Sequence, residues 1–146
     1  MKYLLDTNVV SEVRKPNGDA TVKAWLQRQP PDDVAISVIT VLEIDIGIRR
    51  VRRRDPATAA ILQRWLDERV LTGFRGRILP LDLDCVRHVA PLHVPDPMPE
   101  HDAIIAGTAM AHGLTVVTRN TKDFLASGVA LIDPWLSESH ARRSEE

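Results

Sequence analysis

Short apolar segments alternate with segments of helical periodicity along most of this 146-residue chain, and this alternation restricts the possible folds more than any other feature. We predict strands at residues 2–5, 34–36, 77–81, 114–117 and 129–132. We predict helices at residues 7–14, 19–27, 37–50, 56–70, 82–88 and 100–111, a short helix within 118–126, and a proline-rich loop at 91–99. Strands joined by helical crossovers form parallel sheets, and apolar strands of this kind are buried on both faces. The chain is therefore predicted to be a three-layer α/β/α protein with a short parallel sheet of about five strands.

Composition supports one folded domain of an ordinary globular kind. Hydrophobic residues make up 44% of the chain, and 20 acidic residues balance 19 basic ones, so the chain can bury a core. We expect a single domain at residues 1–136 and a mobile polar tail at 137–146. No apolar run exceeds four residues, which excludes a membrane helix. Cys85 is the only cysteine, so we expect no disulfide framework, no cysteine-based zinc site and a reducing cytoplasmic location.

Acidic side chains occur at the carboxyl ends of several predicted strands. Asp6 follows the first strand, Glu43 lies early in the helix after the second, and Asp102 begins the helix that leads into the fourth. Asp123 lies in the segment after that fourth strand. Ligands of open parallel sheets bind outside this edge. Crowded carboxylates repel each other, and a hard divalent cation such as Mg²⁺ or Mn²⁺ compensates for the repulsion. Because such ions can activate water and stabilise a leaving oxygen, the pattern predicts metal-dependent phosphodiester hydrolysis.

Each of these residues also has a purely structural interpretation. Asp6 could simply cap the following helix, and Asp102 could complement the helix dipole. Asn120 and Asp123 could be turn formers. Glu43 is harder to explain in this way, because apolar residues flank it on a largely buried helix, where a charge needs a partner. The convergence of four segments on one edge is stronger evidence than any single residue.

Other polar residues near the same edge are candidates for supporting roles. Asn8 and Thr118 are expected to orient the carboxylates by hydrogen bonding. Four basic residues are placed where they could contact a nucleic acid, namely Arg14, Lys15, Arg119 and Lys122. The basic run Arg49–Arg54 could track a phosphate backbone or could be a solvated helix end, and the sequence does not choose between them. The histidines at 88, 93, 101 and 112 lack the i, i+4 spacing of a metal site, so we interpret them as structural or surface residues.

Four segments together resemble the motifs of PIN-domain ribonucleases, with the closest likeness to the VapC and FitB toxins of bacterial toxin–antitoxin pairs. The segments are Leu5–Asn8, Ser37–Glu43 followed by Gly47, His101–Ala106 and Val117–Phe124. The resemblance extends from Lys2 to about Trp135, nearly the whole chain. All four motifs occur in the same order and at similar spacings, which makes the resemblance specific.

The resemblance implies a PIN-like fold and a Mg²⁺- or Mn²⁺-dependent endoribonuclease that cuts cellular RNA, often tRNA or rRNA, by means of a metal-activated water. It also implies a homodimer that a cognate VapB-type antitoxin silences. By position, the metal-binding acids would be Asp6, Glu43, Asp102 and Asp123, with Asn120 as a polar helper and Thr7 and Thr118 as orienting residues. Two alternatives stay open, a PIN-like DNA nuclease and a catalytically weak module that captures a partner.

Overall fold

The computed structural model describes residues 1–136 and contains a five-stranded, fully parallel sheet. Its strands are β1 (Tyr3–Leu5), β2 (Val34–Ser37), β3 (Ile78–Leu79), β4 (Thr115–Val117) and β5 (Leu131–Ile132), in the spatial order β3-β2-β1-β4-β5. The predicted α/β/α fold is confirmed. The tail predicted at residues 137–146 lies outside the described residues.

Seven α-helices connect and cover these strands in the described part of the chain. They are α1 (Thr7–Arg14), α2 (Ala20–Gln27), α3 (Val38–Arg52), α4 (Pro56–Trp65), α5 (Leu83–Val89), α6 (Glu100–His112) and α7 (Thr121–Phe124). Short 3-10 turns lie at Pro31–Asp33, Ala90–His93 and Leu125–Ser127. No helix among residues 1–136 has the length and apolar character needed to cross a bilayer.

Alternating side chains of the strands pack into two separate hydrophobic cores, one on each face of the sheet. Leu5 and Val117 pack with residues of α1 to α4 on one face of the sheet. Leu4 and Val116, one position earlier in the same strands, pack with Ile105 and other residues of α6 on the opposite face. Because successive side chains of a strand point to opposite faces, three-residue strands are enough to anchor both helical layers.

Two segments differ from the prediction. The helix predicted at 56–70 is α-helical only to Trp65 and continues as one π-helical segment at Leu66–Leu71. The apolar positions Leu66 and Val70 are buried, so their spacing satisfied a helical pattern without revealing the change in hydrogen bonding. The loop predicted at 91–99 begins with the 3-10 turn Ala90–His93, where Pro91 occupies a first-turn position that needs no N–H donor.

The strand order reverses between β1 and β4. The chain moves outward from β1 through β2 to β3, and its later strands lie on the other side of β1. Such a switch point leaves a crevice outside the carboxyl ends of the two central strands. Asp6 directly follows β1 and Thr118 directly follows β4, so both residues lie at this crevice.

Candidate active site

Asp6 is held at the crevice by hydrogen bonds to both of its carboxylate oxygens. It caps α1, where the Thr7 backbone N–H donates to Oδ1 at 2.7 Å. The Thr118 hydroxyl donates to Oδ2 at 2.8 Å, and the Asn8 amide lies 3.4 Å from the same oxygen. Asp6 is only 6% exposed. Burial raises its pKa, the bonds from Thr118 and Thr7 oppose this rise, and the charge of Asp123 adds to it. Asp6 therefore caps α1 and belongs to the site at the same time.

Glu43 reaches the same crevice from α3. Its side chain is 32% exposed, and burial followed by the charge of Asp6 raises its pKa. The His101 imidazole opposes the rise, with Nδ1 of His101 lying 3.7 Å from Oε1 of Glu43. A hydrogen bond from Thr7 also opposes it, and the charge of Asp102 adds to it. Glu43, on the helix after β2, is therefore electrostatically coupled to Asp6 after β1 and to His101 and Asp102 at the start of α6.

Asp102 completes this coupling from the first turn of α6. Burial raises its pKa, and the charges of Asp6 and then Asp123 raise it further, whereas His101 opposes the rise. Asp123 is exposed on α7, and its charge raises the pKa values of both Asp6 and Asp102. The structure thus places all four predicted acids near enough to be electrostatically coupled, and we call Asp6, Glu43, Asp102 and Asp123 the carboxylate site. Four neighbouring carboxylates of this kind are a donor set that fits a hard divalent cation.

Thr118 connects the polar residues around Asp6. Besides donating to Asp6, its hydroxyl accepts from the Asn8 amide at 3.3 Å and from the Asn120 backbone N–H at 3.0 Å. Asn8 also accepts, at 3.4 Å, from the backbone N–H of Arg119. Asn8 and Thr118 therefore both contact Asp6, whereas the contact of Asn120 with this network is made by its backbone.

Two residues near the carboxylate site were not among the predicted site residues. His101 was interpreted as structural or surface, but it lies beside Glu43 and acts on Asp102. Its position directly before Asp102 at the start of a helix is the signal that could have identified it. Thr40 is fully buried, and its hydroxyl oxygen lies 3.1 Å from that of Thr7. Its place one turn before Glu43 on α3 was visible in the sequence, but its contact with α1 was not.

The predicted basic residues divide into two groups. Arg119 and Lys122 are exposed beside the carboxylate site, and the Arg119 guanidinium lies 5.1 Å from the Trp135 ring centroid. Arg14 and Lys15 lie at the far end of α1, about 12 Å along its axis from Asp6. There Arg14 stacks on Trp65 at 5.6 Å and Lys15 pairs with Glu12 at 3.5 Å. Arg14 and Lys15 are therefore farther from the carboxylates than the prediction from the sequence, which put them near the same edge of the sheet.

The basic run Arg49–Arg54 covers the end of α3 and the residues after it. Its arginines are all exposed. Arg49 pairs with Asp45 at 3.0 Å, and Arg52 donates to Gln63 at 3.3 Å. Because the run begins six residues after Glu43, it starts about 9 Å farther along the helix axis. These contacts agree with a solvated helix end.

Comparison with known proteins gives a consistent result over nearly the whole chain. The family model for the PIN domain matches residues 3–127. The chain is similar to VapC ribonuclease Y4jK of Sinorhizobium fredii, with 39% identity over 137 residues, which are 90% of this chain and 96% of the relative. It is 38% identical over 138 residues to toxin FitB of Neisseria gonorrhoeae, covering 90% and 97% of the two chains. The crystal structure of FitAcB from Neisseria gonorrhoeae has a TM-score of 0.85 and 36% identity, covering 92% of this chain and 99% of that one. The matched region includes every residue of the carboxylate site.

Proposed function

The chain belongs to the PIN-domain family, and on that premise we propose that it is an endoribonuclease and the toxin of a VapBC-type toxin–antitoxin pair. The observation that carries the proposal is the carboxylate site, where three acids each have a pKa raised by burial and by at least one neighbouring acid. A fold does not by itself define a function, but acids that raise one another's pKa at the switch point of the sheet favour a bound cation. The similarity to a VapC ribonuclease supports RNA as the substrate.

Mg²⁺ or Mn²⁺ is the cofactor that this donor set favours. Asp6, Glu43, Asp102 and Asp123 would hold the ion, and all four offer the hard oxygen ligands that these cations prefer. When bound, such an ion supplies Lewis-acid chemistry by lowering the pKa of a coordinated water and neutralising charge on the phosphodiester. The raised pKa values mean that protons compete with the ion, so its affinity falls as the pH falls toward them.

The other residues of the crevice position this donor set. Thr118 and the Thr7 backbone hold Asp6 in one orientation and keep more of it ionised than burial alone would allow. His101 lies against Glu43 and acts in the same sense on that carboxylate. Arg119 and Lys122 are exposed beside the carboxylate site and would contribute to binding the phosphates of the RNA.

A cell that makes such an enzyme needs an inhibitor, and we propose a cognate VapB-like antitoxin for this role. The relative from Neisseria gonorrhoeae is named a toxin. A basic side chain of the antitoxin would neutralise the carboxylate site in the way that a metal ion does. The proposal includes a homodimer, the cytoplasm as the place of action, and tRNA or rRNA as the substrate class.

The test compares matched variants on one helix. We would purify the chain free of antitoxin and incubate it with total RNA in Mg²⁺, in Mn²⁺ and in EDTA. Wild type and Asp45→Asn should give discrete, metal-dependent cuts, because Asp45 forms a surface ion pair with Arg49 and is not part of the carboxylate site. Glu43→Gln and Asp6→Asn should give none while remaining folded.

Three outcomes would contradict parts of this proposal. Cleavage that persists in Glu43→Gln would show that the carboxylate site is not the active centre. Cleavage of DNA and not RNA under the same conditions would favour the DNA nuclease. Absence of cleavage together with absence of divalent-metal binding by calorimetry would favour the partner-binding module.

A further inference from the structure

Three side chains of different chemistry converge at the junction of α5 and α6, away from the carboxylate site. They are Asp82, Cys85 and His112, and one ligand atom from each lies within 4.8 Å of the others. Asp82 caps α5, Cys85 lies three residues later in its first turn, and His112 is the last residue of α6. The function proposed above uses none of the three.

The ligand set differs in kind from the four carboxylates. It combines a sulfur, an imidazole nitrogen and a carboxylate oxygen, which is the mixture that borderline-soft Zn²⁺ accepts and that Mg²⁺ does not favour. Zinc bonds are about 2.0–2.3 Å long. Asp82 and His112 are exposed and can close on an ion, whereas Cys85 is fully buried and fixes the inner end of the site.

A second observation at the same place points to a ligand. Thr108 is fully buried on α6, one turn before His112, and its hydroxyl oxygen has no hydrogen-bond partner within residues 1–136. The Thr108 hydroxyl is near enough to Cys85 to interact with its thiol, but no hydrogen bond of ordinary geometry joins the two groups. A thiolate at Cys85 would give the unpaired hydroxyl an acceptor.

The packing of the two helices makes this convergence possible. Gly107 lies against Val89 so closely that an added Cβ would come within 2.9 Å of the Val89 backbone nitrogen. The residue after this glycine is Thr108, and His112 lies on the same side of α6 four residues later. The close approach of Gly107 to Val89, at the end of α5, packs the two helices side by side, and the end of α6 lies beside the start of α5.

We propose that Asp82, Cys85 and His112 form a second metal site, for Zn²⁺, with Thr108 donating a hydrogen bond to the bound thiolate. The thiol of Cys85 faces the Pro80 carbonyl oxygen, with the sulfur 3.7 Å from it, and its proton passes to the buffer when the thiolate binds the ion. The fourth position is open to solvent, since three protein ligands leave one vacant in a tetrahedral arrangement. This departs from the expectation that one cysteine excludes a cysteine-based zinc site, because the other two ligands are not cysteines.

Cobalt(II) titration of the full chain tests the proposal independently of RNA cleavage. Since the chain has one cysteine, a thiolate-to-cobalt absorption band reports Cys85 alone. Wild type and the active-site variant Asp6→Asn should both show the band at one equivalent of Co²⁺ and lose it on addition of Zn²⁺. Cys85→Ser should abolish the band, and His112→Gln and Asp82→Asn should weaken binding strongly. The matched controls are His88→Gln and Asp84→Asn. These two residues lie on α5 with His88 Nδ1 3.7 Å from Asp84 Oδ1, and both variants should bind Co²⁺ as wild type does.

Thr108→Val separates a metal site from ordinary packing. Binding of Co²⁺ should weaken by about 10- to 100-fold, as it does when a hydrogen-bond partner of a metal ligand is lost. The metal-free variant should be as stable as wild type or more so, because it loses an unpaired buried hydroxyl. The proposal is overturned if wild type shows no thiolate band at saturating Co²⁺, or if His112→Gln and Asp82→Asn leave the affinity unchanged. Unchanged affinity in Thr108→Val would refute the role given to its hydroxyl.

Discussion

Replacement of Thr118 by Val should reveal how strongly the fold stabilises the charge of Asp6. The Thr118 hydroxyl is fully buried and donates to the carboxylate at 2.8 Å. A hydrogen bond to a charged group contributes about 1.5–3 kcal/mol. Each kcal/mol shifts the Tm of a domain near this size by about 2–4 °C. We therefore expect Thr118→Val to lower the Tm of the metal-free protein by about 3–12 °C at pH 7.

The dependence on pH and on Asp6 distinguishes this bond from the other contacts of Thr118. The bond favours the ionised carboxyl, so Thr118→Val raises the pKa of Asp6 further. The loss of stability should therefore be full where Asp6 is ionised and should shrink as the pH falls through its raised pKa. In an Asp6→Asn background the bond joins neutral groups, and its loss should cost only about 0.5–1.5 kcal/mol.

A double-mutant cycle measured by thermal and urea unfolding in EDTA checks this reasoning. The bonds that Thr118 makes with Asn8 and with the Asn120 backbone are lost in both backgrounds, so they cancel in the cycle. We expect a coupling free energy of about 1 kcal/mol or more, which exceeds the 0.3–0.5 kcal/mol scatter seen for independent sites. Additivity of the two substitutions, or an equal cost of Thr118→Val at pH 4 and pH 7, would refute it.

Further predictions concern other parts of the molecule. Asp102→Asn should abolish cleavage yet raise the Tm in EDTA at pH 7, because burial and neighbouring charges raise the pKa of this carboxyl, and the gain in Tm should fade below that pKa. Gly107→Ala should cost about 1–3 kcal/mol in unfolding experiments by overpacking against Val89, and Val89→Ala should restore only part of it, since the backbone contact remains. Lys122→Gln should weaken RNA binding and reduce the slope of log affinity against log salt by about 0.7. Lys2→Gln, at the opposite edge of the sheet, should leave that slope unchanged, and equal effects of the two variants would argue against binding at the carboxylate site.

The helices and strands that are defined by local sequence patterns were predictable from the sequence. Strand β4 and helix α6 follow from apolar segments with clear breaks at Gly113 and the prolines before residue 100. The meeting of Asp6, Glu43 and Asp102 also followed, because the carboxyl ends of parallel strands share one edge. Their roles as metal ligands stay a prediction until the variants are measured.

Two of the features that the sequence did not reveal depend on contacts between distant elements. The position of His101 against Glu43 depends on how α3 and α6 approach the same crevice. The grouping of Cys85 with His112 depends on the close packing at Gly107, and a glycine inside a helix does not name the residue it will face. The π-helical segment at Leu66–Leu71 preserves the burial of apolar residues, so periodicity could not detect it. In the first two cases the decisive interaction joins residues whose proximity no local pattern encodes.

The central position of β1 has a consequence for when the protein becomes dangerous to the cell that makes it. Asp6 leaves the ribosome early, but its partner Thr118 follows 112 residues later. At about 5–20 residues per second, this interval lasts about 6–22 s. During that time the chain has neither the strand that completes the crevice nor the acid on α7. Chains terminated before Thr118 therefore cannot assemble the carboxylate site. An antitoxin has the whole of this interval to be present before any RNA is cut.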